Sequence, residues 1–299
     1  MTRPKTAKSL NFASLFLGRI LCVCGAVALA LRLLASGGIA AGEVSSSLTA
    51  QEQLKLATDR LPRGYPGIVK SVENGEVIFG DGARLPLGVG NRPKSFQQWL
   101  SHPDILDMFA LEYPESSLTA PPPANFDPGR ARNAAFFKKV YGDCAKGAVA
   151  ATLVAVNWLP KKAGQMLKVT SINGVARQLE AVSAELDALP ADFDVFLYPA
   201  AGTYNCRDIA GTTTPSAHGY GIAIDIAVQR ASYWRWSGAK GDTAPAWRNE
   251  VPMEIVRVFE KHGFIWGGKW NHFDTMHFEY RPELLPPSEG PALRSGAQK

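Results

Sequence analysis

Two stretches decide the fold of this chain: Ser216-Ala217-His218-Gly219-Tyr220-Gly221-Ile222-Ala223-Ile224-Asp225 and Asp274-Thr275-Met276-His277-Phe278-Glu279. Strand alternation in the first puts Ile222, Ile224 and Ile226 on one face and Ala223, Asp225 and Ala227 on the other. A carboxylate between two alanines on one strand face has room for an ion beside it. In the second stretch, Met276, Phe278 and Tyr280 share the buried face while His277 and Glu279 turn the opposite way. If the two strands are neighbours, Asp225 and His277 converge, and His218 reaches in from the loop before the first strand. Two neutral imidazoles and one carboxylate leave one position of a tetrahedral zinc ion open, as catalytic zinc sites do.

Each residue alone is a weak signal, since a histidine and an aspartate seven residues apart are common in loops and strand ends. The combination is specific. With Trp266-Gly267-Gly268-Lys269-Trp270 between the two stretches, it resembles the D-alanyl-D-alanine carboxypeptidase/endopeptidase family of zinc peptidases, which act on bacterial cell-wall peptides. The likeness is strongest to the L-alanyl-D-glutamate endopeptidase-like branch and covers roughly residues 144–285. The resemblance implies a mononuclear Zn2+ site with His218, Asp225 and His277 as ligands and Asp274 as general base. It also implies Arg207 as the transition-state arginine and Ser216 near the substrate-binding end. It further implies an α+β fold in which a small, mainly antiparallel sheet carries the site, with helices on one side.

The chemistry of the residues agrees with that transfer. Asp274 has the group needed to take a proton from water and pass it to a leaving amine. Arg207 is always charged and suits an oxyanion, a contact whose loss costs on the order of 100- to 1000-fold. Trp270 is expected to line the peptide cleft. His272 is a candidate for steadying the attacking water or the substrate, and Glu279 for orienting the far ring nitrogen of His277. His262 reads as a helix cap and not as a ligand.

The net charge of +5 suggests a basic protein until its distribution is read. Residues 1–41 hold Arg3, Lys5, Lys8, Arg19 and Arg32 and no acid, and the rest of the chain is balanced at 27 basic and 27 acidic residues. No nucleic-acid partner is expected from that balance. The basic start, the apolar run Ile20–Leu31 and the small residues at Ala40-Ala41-Gly42 read as an export signal. An uncleaved anchor through residues 20–41 is the alternative, because Arg32 can snorkel. Either reading puts the remainder in the periplasm or cell envelope. There, Cys144 and Cys206 are expected to pair as a disulfide.

The expected layout is a signal or anchor over 1–41, an accessory region over 42–125, a peptidase domain over 126–286 and a flexible tail over 287–299. Residues 42–60 read as a flexible or weakly helical lead. Ile68–Val72 and Glu76–Phe79, joined by Asn74-Gly75, read as a β-hairpin, with a third short strand near Ala83–Leu87. Pro103 is expected to start a helix running towards Leu111, and Pro121-Pro122-Pro123 with Asp127-Pro128-Gly129 to mark a linker. Val149–Val156 reads as a buried strand and Met166–Thr170 as another. A helix capped by Asn173 should bury Val175, Leu179, Val182 and Leu186, and Val195–Tyr198 reads as a further strand. Met253–Lys261 reads as a helix stopped by Gly263.

The expected function is hydrolysis of an amide bond in peptidoglycan stem peptides, as an endopeptidase or a carboxypeptidase. The alternative is a non-catalytic zinc-containing module that binds cell-wall peptide or a protein partner.

Overall fold

Thr49 starts the first helix. Its hydroxyl accepts from the Glu52 N–H at 3.2 Å, and the Glu52 carboxylate accepts from the Thr49 N–H at 2.7 Å. This capping box opens α1 (Ala50–Gly64), which buries Gln53, Ala57 and Leu61. From Ala50 on, the lead read as flexible or weakly helical is therefore a capped, packed helix. Its inward stripe combines an amide, a methyl and one leucine, too little apolar contrast to stand out in sequence. The computed structural model describes residues 48–286 apart from 91, 116, 119, 210–213 and 239–245. The signal, anchor and tail expectations fall outside the described residues. Among the described residues, no helix is long and apolar enough to cross a membrane.

Next, β1 (Val69–Glu73), β2 (Glu76–Phe79) and β3 (Arg84–Pro86) form an antiparallel sheet in that order. Asn74 and Gly75 take φ of 53° and 77°, as a tight hairpin turn between twisted strands requires. The helix expected after Pro103 lies before it instead. Ser95 and Gln98 form a second capping box, so α2 (Phe96–Ser101) begins upstream and ends at His102. Only a 3-10 turn, Leu106–Phe109, follows the proline. Asn133 then caps α3 (Ala134–Tyr141).

A hairpin follows, β4 (Leu153–Trp158) with β5 (Gln165–Thr170). The apolar run expected to be a buried strand is only partly strand and only partly buried. Val149 and Val156 are fully buried, but Val154 is 41% exposed and Met166 on β5 is 61% exposed. The hairpin has one face on the core and one in solvent. In α4 (Val175–Asp187) the stripe Val175, Leu179, Val182 and Leu186 is fully buried. Gly174, not Asn173, occupies its N-cap. The Asn173 amide instead donates to the Gly64 carbonyl at 2.9 Å and ties α4 to the end of α1. Where a strand was expected, Asp194–Leu197 forms a one-turn helix, α5, since a four-residue apolar run does not by itself distinguish the two.

The last sheet holds β6 (Ala223–Asp225), β7 (Phe264–Trp266) and β8 (His277–Tyr280), antiparallel in the order β6-β8-β7. Between β6 and β7 lies α6 (Met253–Lys261), which ends before Gly263 at φ 87°. Phe259 of α6 stacks on Phe278 of β8 with ring centroids 3.8 Å apart, sealing one face of the sheet. Ile222, Ile224 and Ile226 are buried in the same core as α1, the first sheet and α4. The protein is thus α+β, with small antiparallel sheets and, among the described residues, six α-helices.

Candidate metal centre

Register brings the two decisive stretches together. Asp225 on β6 pairs directly with His277 on β8, and Ala223 pairs with Glu279. A period of two then puts Asp225, His277, Ala223 and Glu279 on one face, opposite the face sealed by α6. The small Ala223 leaves space over Glu279. His218 comes from a 3-10 turn at Ala217–Tyr220, whose N-cap Ser216 accepts from the His218 N–H at 3.4 Å. His218 Nε2 lies 3.2 Å from Asp225 Oδ1, and His277 Nδ1 lies 3.0 Å from the same oxygen. The two ring nitrogens are 3.3 Å apart, and one donor atom from each of the three residues falls within 4.8 Å of the others.

The other side of each imidazole decides what these three atoms can do. His218 Nδ1 faces the Thr203 carbonyl, which only accepts, so it carries the proton and leaves an Nε2 lone pair. His277 Nε2 faces Glu279 Oε2 at 3.1 Å, which assigns its lone pair to Nδ1 by the same reasoning. Two lone pairs and a carboxylate oxygen converge, an arrangement that repels itself unless a cation or added protons sit among them. Burial opposes charge on His277, but its bonds to Asp225 and Glu279 prevail and push it up to about 10. Burial works against the Asp225 carboxylate too, and the two histidines hold it well below the usual range. The donor set of two nitrogens and one oxygen fits a divalent zinc ion.

Asp274 lines the same cleft, and its Oδ1 is buried without a hydrogen-bond partner. Burial, reinforced by the Asp225 charge, pushes this carboxyl up to about 6 against the pull of His277 and Arg130. An orphan carboxylate oxygen at a cleft is costly for stability and is placed where a proton can be taken up.

Trp270 forms a wall, its ring 5.7 Å from that of His277 and its Nε1 donating to the Pro128 carbonyl at 2.8 Å. Ser216 and the exposed Arg207 also line the cleft. Arg207 follows Cys206, which is bridged to Cys144, and its carbonyl accepts from the Ser216 N–H at 3.0 Å. His272 is buried, stacked on Phe96 at 4.5 Å, and bound through Nδ1 to Asp127 at 2.8 Å. His262 is engaged elsewhere, by Gln178 and Glu185 of α4.

The sequence reading assigns no site role to two residues of the cleft, Arg130 and Arg132, or to Asp127 buried behind them. Asp127-Pro128-Gly129 reads as a linker turn, and nothing in its composition says that it folds against β8. Arg132 holds Glu279 through Nε at 3.1 Å to each carboxylate oxygen and through Nη2. Arg281 Nη1 adds a bond to Glu279 at 2.9 Å, and its Nε meets Glu283 at 2.6 Å. Glu283 in turn accepts from the Tyr65 hydroxyl at 2.9 Å. Glu279, Arg281 and Glu283 recur at every second position along β8 and its extension, a pattern legible only once β8 is placed.

No curated protein and no solved structure matches the chain. Residues 210–280, which carry His218, Asp225, Asp274 and His277, match the family model described as D-alanyl-D-alanine carboxypeptidase, the family that the sequence motifs resemble.

Proposed function

We propose that this protein is a zinc metallopeptidase that hydrolyses an amide bond in peptidoglycan stem peptides. The observation that carries the reading is the convergence of His218 Nε2, Asp225 Oδ1 and His277 Nδ1 beside the orphan Oδ1 of Asp274 in one cleft. The family match supports a metallopeptidase of this type. A binding module needs no unpaired carboxylate beside its ion.

Zinc held by those three donors supplies Lewis acidity and makes a water nucleophilic at neutral pH. The chain's own groups do the rest. Thr203 and Glu279 fix the two imidazole tautomers, so that both lone pairs face the ion. Asp274 accepts the proton of the attacking water and returns it to the leaving amine. Arg207, exposed at the rim of the cleft, meets the negative charge that develops on the attacked carbonyl. Trp270 and Ser216 shape the walls against which the peptide lies. We place this activity outside the cytoplasmic membrane, where the Cys144–Cys206 bridge persists.

The test is mass spectrometry of purified peptidoglycan after incubation with the zinc-loaded full chain, with and without chelator. We expect a new fragment that the chelator abolishes. Loss of a terminal alanine identifies a carboxypeptidase, and a released stem peptide an endopeptidase. A folded, zinc-loaded protein that leaves the material intact would overturn the reading.

A further inference from the structure

Arg130, Arg132 and Arg207 all line the cleft of the metal cluster, and the carboxylates beside them there are Asp225 and Asp274. Those two acids are committed to the ion and to the proton. Arg132 is committed as well, with Nε and Nη2 on Glu279 and Nη1 on the Arg130 carbonyl. Arg130 is different. Its hydrogen bond within the described residues uses Nη1 alone, to Asp127 Oδ2 at 2.6 Å, which leaves Nε and Nη2 for a ligand. Its guanidinium carbon lies 5.7 Å from the centroid of the Trp270 ring, and Trp270 stands next to His277.

The turn that carries Arg130 is pinned from several directions. The Arg130 N–H donates to the Asp127 carbonyl at 3.1 Å, Trp270 Nε1 to the Pro128 carbonyl at 2.8 Å, and Arg281 Nη1 to the Gly129 carbonyl. His272 holds both Asp127 oxygens, through its backbone N–H at 2.9 Å and Nδ1 at 2.8 Å. Gly129 has φ 82°, and a Cβ there would lie 2.5 Å from Ile265 Cδ1 and 2.6 Å from Leu284 Cδ1. Only glycine lets the turn sit this close to β7. The side chain of Arg130 is 11% exposed. A cation held nearly out of water on a rigid aromatic platform, with half its fork unused, is preorganised for a planar anion.

We infer that Arg130, on its Trp270 platform, is the specificity-determining residue of a carboxylate subsite beside the metal cluster. This rests on the peptidase reading for the identity of the ligand, a peptide bearing a free carboxylate next to the bond that is cut. That carboxylate is either the C-terminal one or the internal glutamyl one of a stem peptide. Arg130 lies outside the segment that matches the family model, so the cation of the subsite comes from the upstream part of the chain and its platform from within the segment.

The experiment is calorimetric titration of zinc-loaded full-length Asp274→Asn protein, which binds without turning over. The probes are a stem pentapeptide ending in D-Ala-D-Ala, its C-terminal amide, and the same peptide with only its internal glutamyl carboxylate amidated. One of the two amides should bind about tenfold more weakly or worse, as loss of a charge-assisted fork predicts, and which one names the source. Adding Arg130→Gln should erase that discrimination, and Arg130→Lys, which keeps charge without the fork, should retain only part of it. Should the glutamine variant not fold, the lysine variant and the amide comparison decide between the outcomes. Equal binding of all three peptides, or full discrimination in the Arg130 variants, overturns the inference. Failure of the peptidase reading is seen separately, as wild-type protein that binds the peptides with discrimination yet releases no chelator-sensitive product.

Discussion

His277 joins two polar regions that solve opposite problems. Its Nδ1 faces the cleft cluster, where lone pairs of His218 and His277 and an oxygen of Asp225 crowd together and Asp274 Oδ1 has no partner. Its Nε2 faces a buried ladder in which Arg132 and Arg281 grip Glu279, Arg281 grips Glu283, and Tyr65 of the N-terminal region closes the line. Glu279, Arg281 and Glu283 are fully buried, and the Arg281 guanidinium also lies 5.0 Å from the Phe137 ring centroid. The ladder pairs Arg132 and Arg281 with Glu279 and Glu283, and only Arg281 Nη2 within it has no hydrogen-bond partner. The cluster leaves negative charge and lone pairs unmatched in a cleft. Satisfied buried charge holds position; unsatisfied charge at a cleft awaits a ligand or a proton.

The sharpest way to break this contrast is Asp274→Asn. If the orphan carboxylate serves the chemistry and not the fold, cleavage falls by about 100- to 10,000-fold while zinc content is retained. The urea midpoint should stay level or rise, because an amide removes a poorly satisfied buried charge. A variant that loses stability along with activity would show that Asp274 belongs with the ladder.

The opposite result is expected from Arg281→Met. This leaves Glu279 and Glu283 each short of a cation in a dry environment, and stability should fall by about 3–5 kcal/mol, read from urea denaturation. Tyr65→Phe removes only a hydroxyl from Glu283 and should cost about 1–3 kcal/mol. If both variants unfold at the wild-type midpoint, the ladder does not carry the structural load that its burial implies.

The same contrast explains what the sequence reveals. The cluster is legible because its residues sit on two strands with clear alternation, and adjacency in the sheet converts Asp225 and His277 into direct cross-strand partners. Much of the ladder lies on the same strand and its continuation, yet its partners arrive from far away. Arg132 is 147 residues from Glu279, and Tyr65 is 218 residues from Glu283. No periodicity encodes such contacts, so Asp127-Pro128-Gly129 reads as a linker and α1 as a loose lead. Local chemistry misleads elsewhere for related reasons. Val149–Val156 is apolar enough for a buried strand, but the second sheet has only one covered face. Asn173 looks like a cap, and its amide is instead spent on Gly64 across the core.

The smallest expected effect concerns Asp127, which stands between the two regions, under the Arg130 turn and against His272. Burial alone would raise its carboxyl, but Arg130 and the His272 bonds outweigh that and hold it below the usual aspartate range. A carboxyl depressed in the folded state binds fewer protons there than in the unfolded chain, so it adds stability at neutral pH. That contribution is complete above the unfolded value of about 3.9 and fades as pH falls through the lower folded value. Asp127→Asn lacks it. The gap in urea midpoint between wild type and Asp127→Asn should therefore be constant from neutral pH down to about 5 and narrow below about 4. Comparing the two proteins cancels the acid sensitivity of Glu279, which both retain. A gap that persists unchanged into acid would mean that Asp127 contributes hydrogen-bond geometry alone, and that the charge balance of the Arg130 turn is set by other groups.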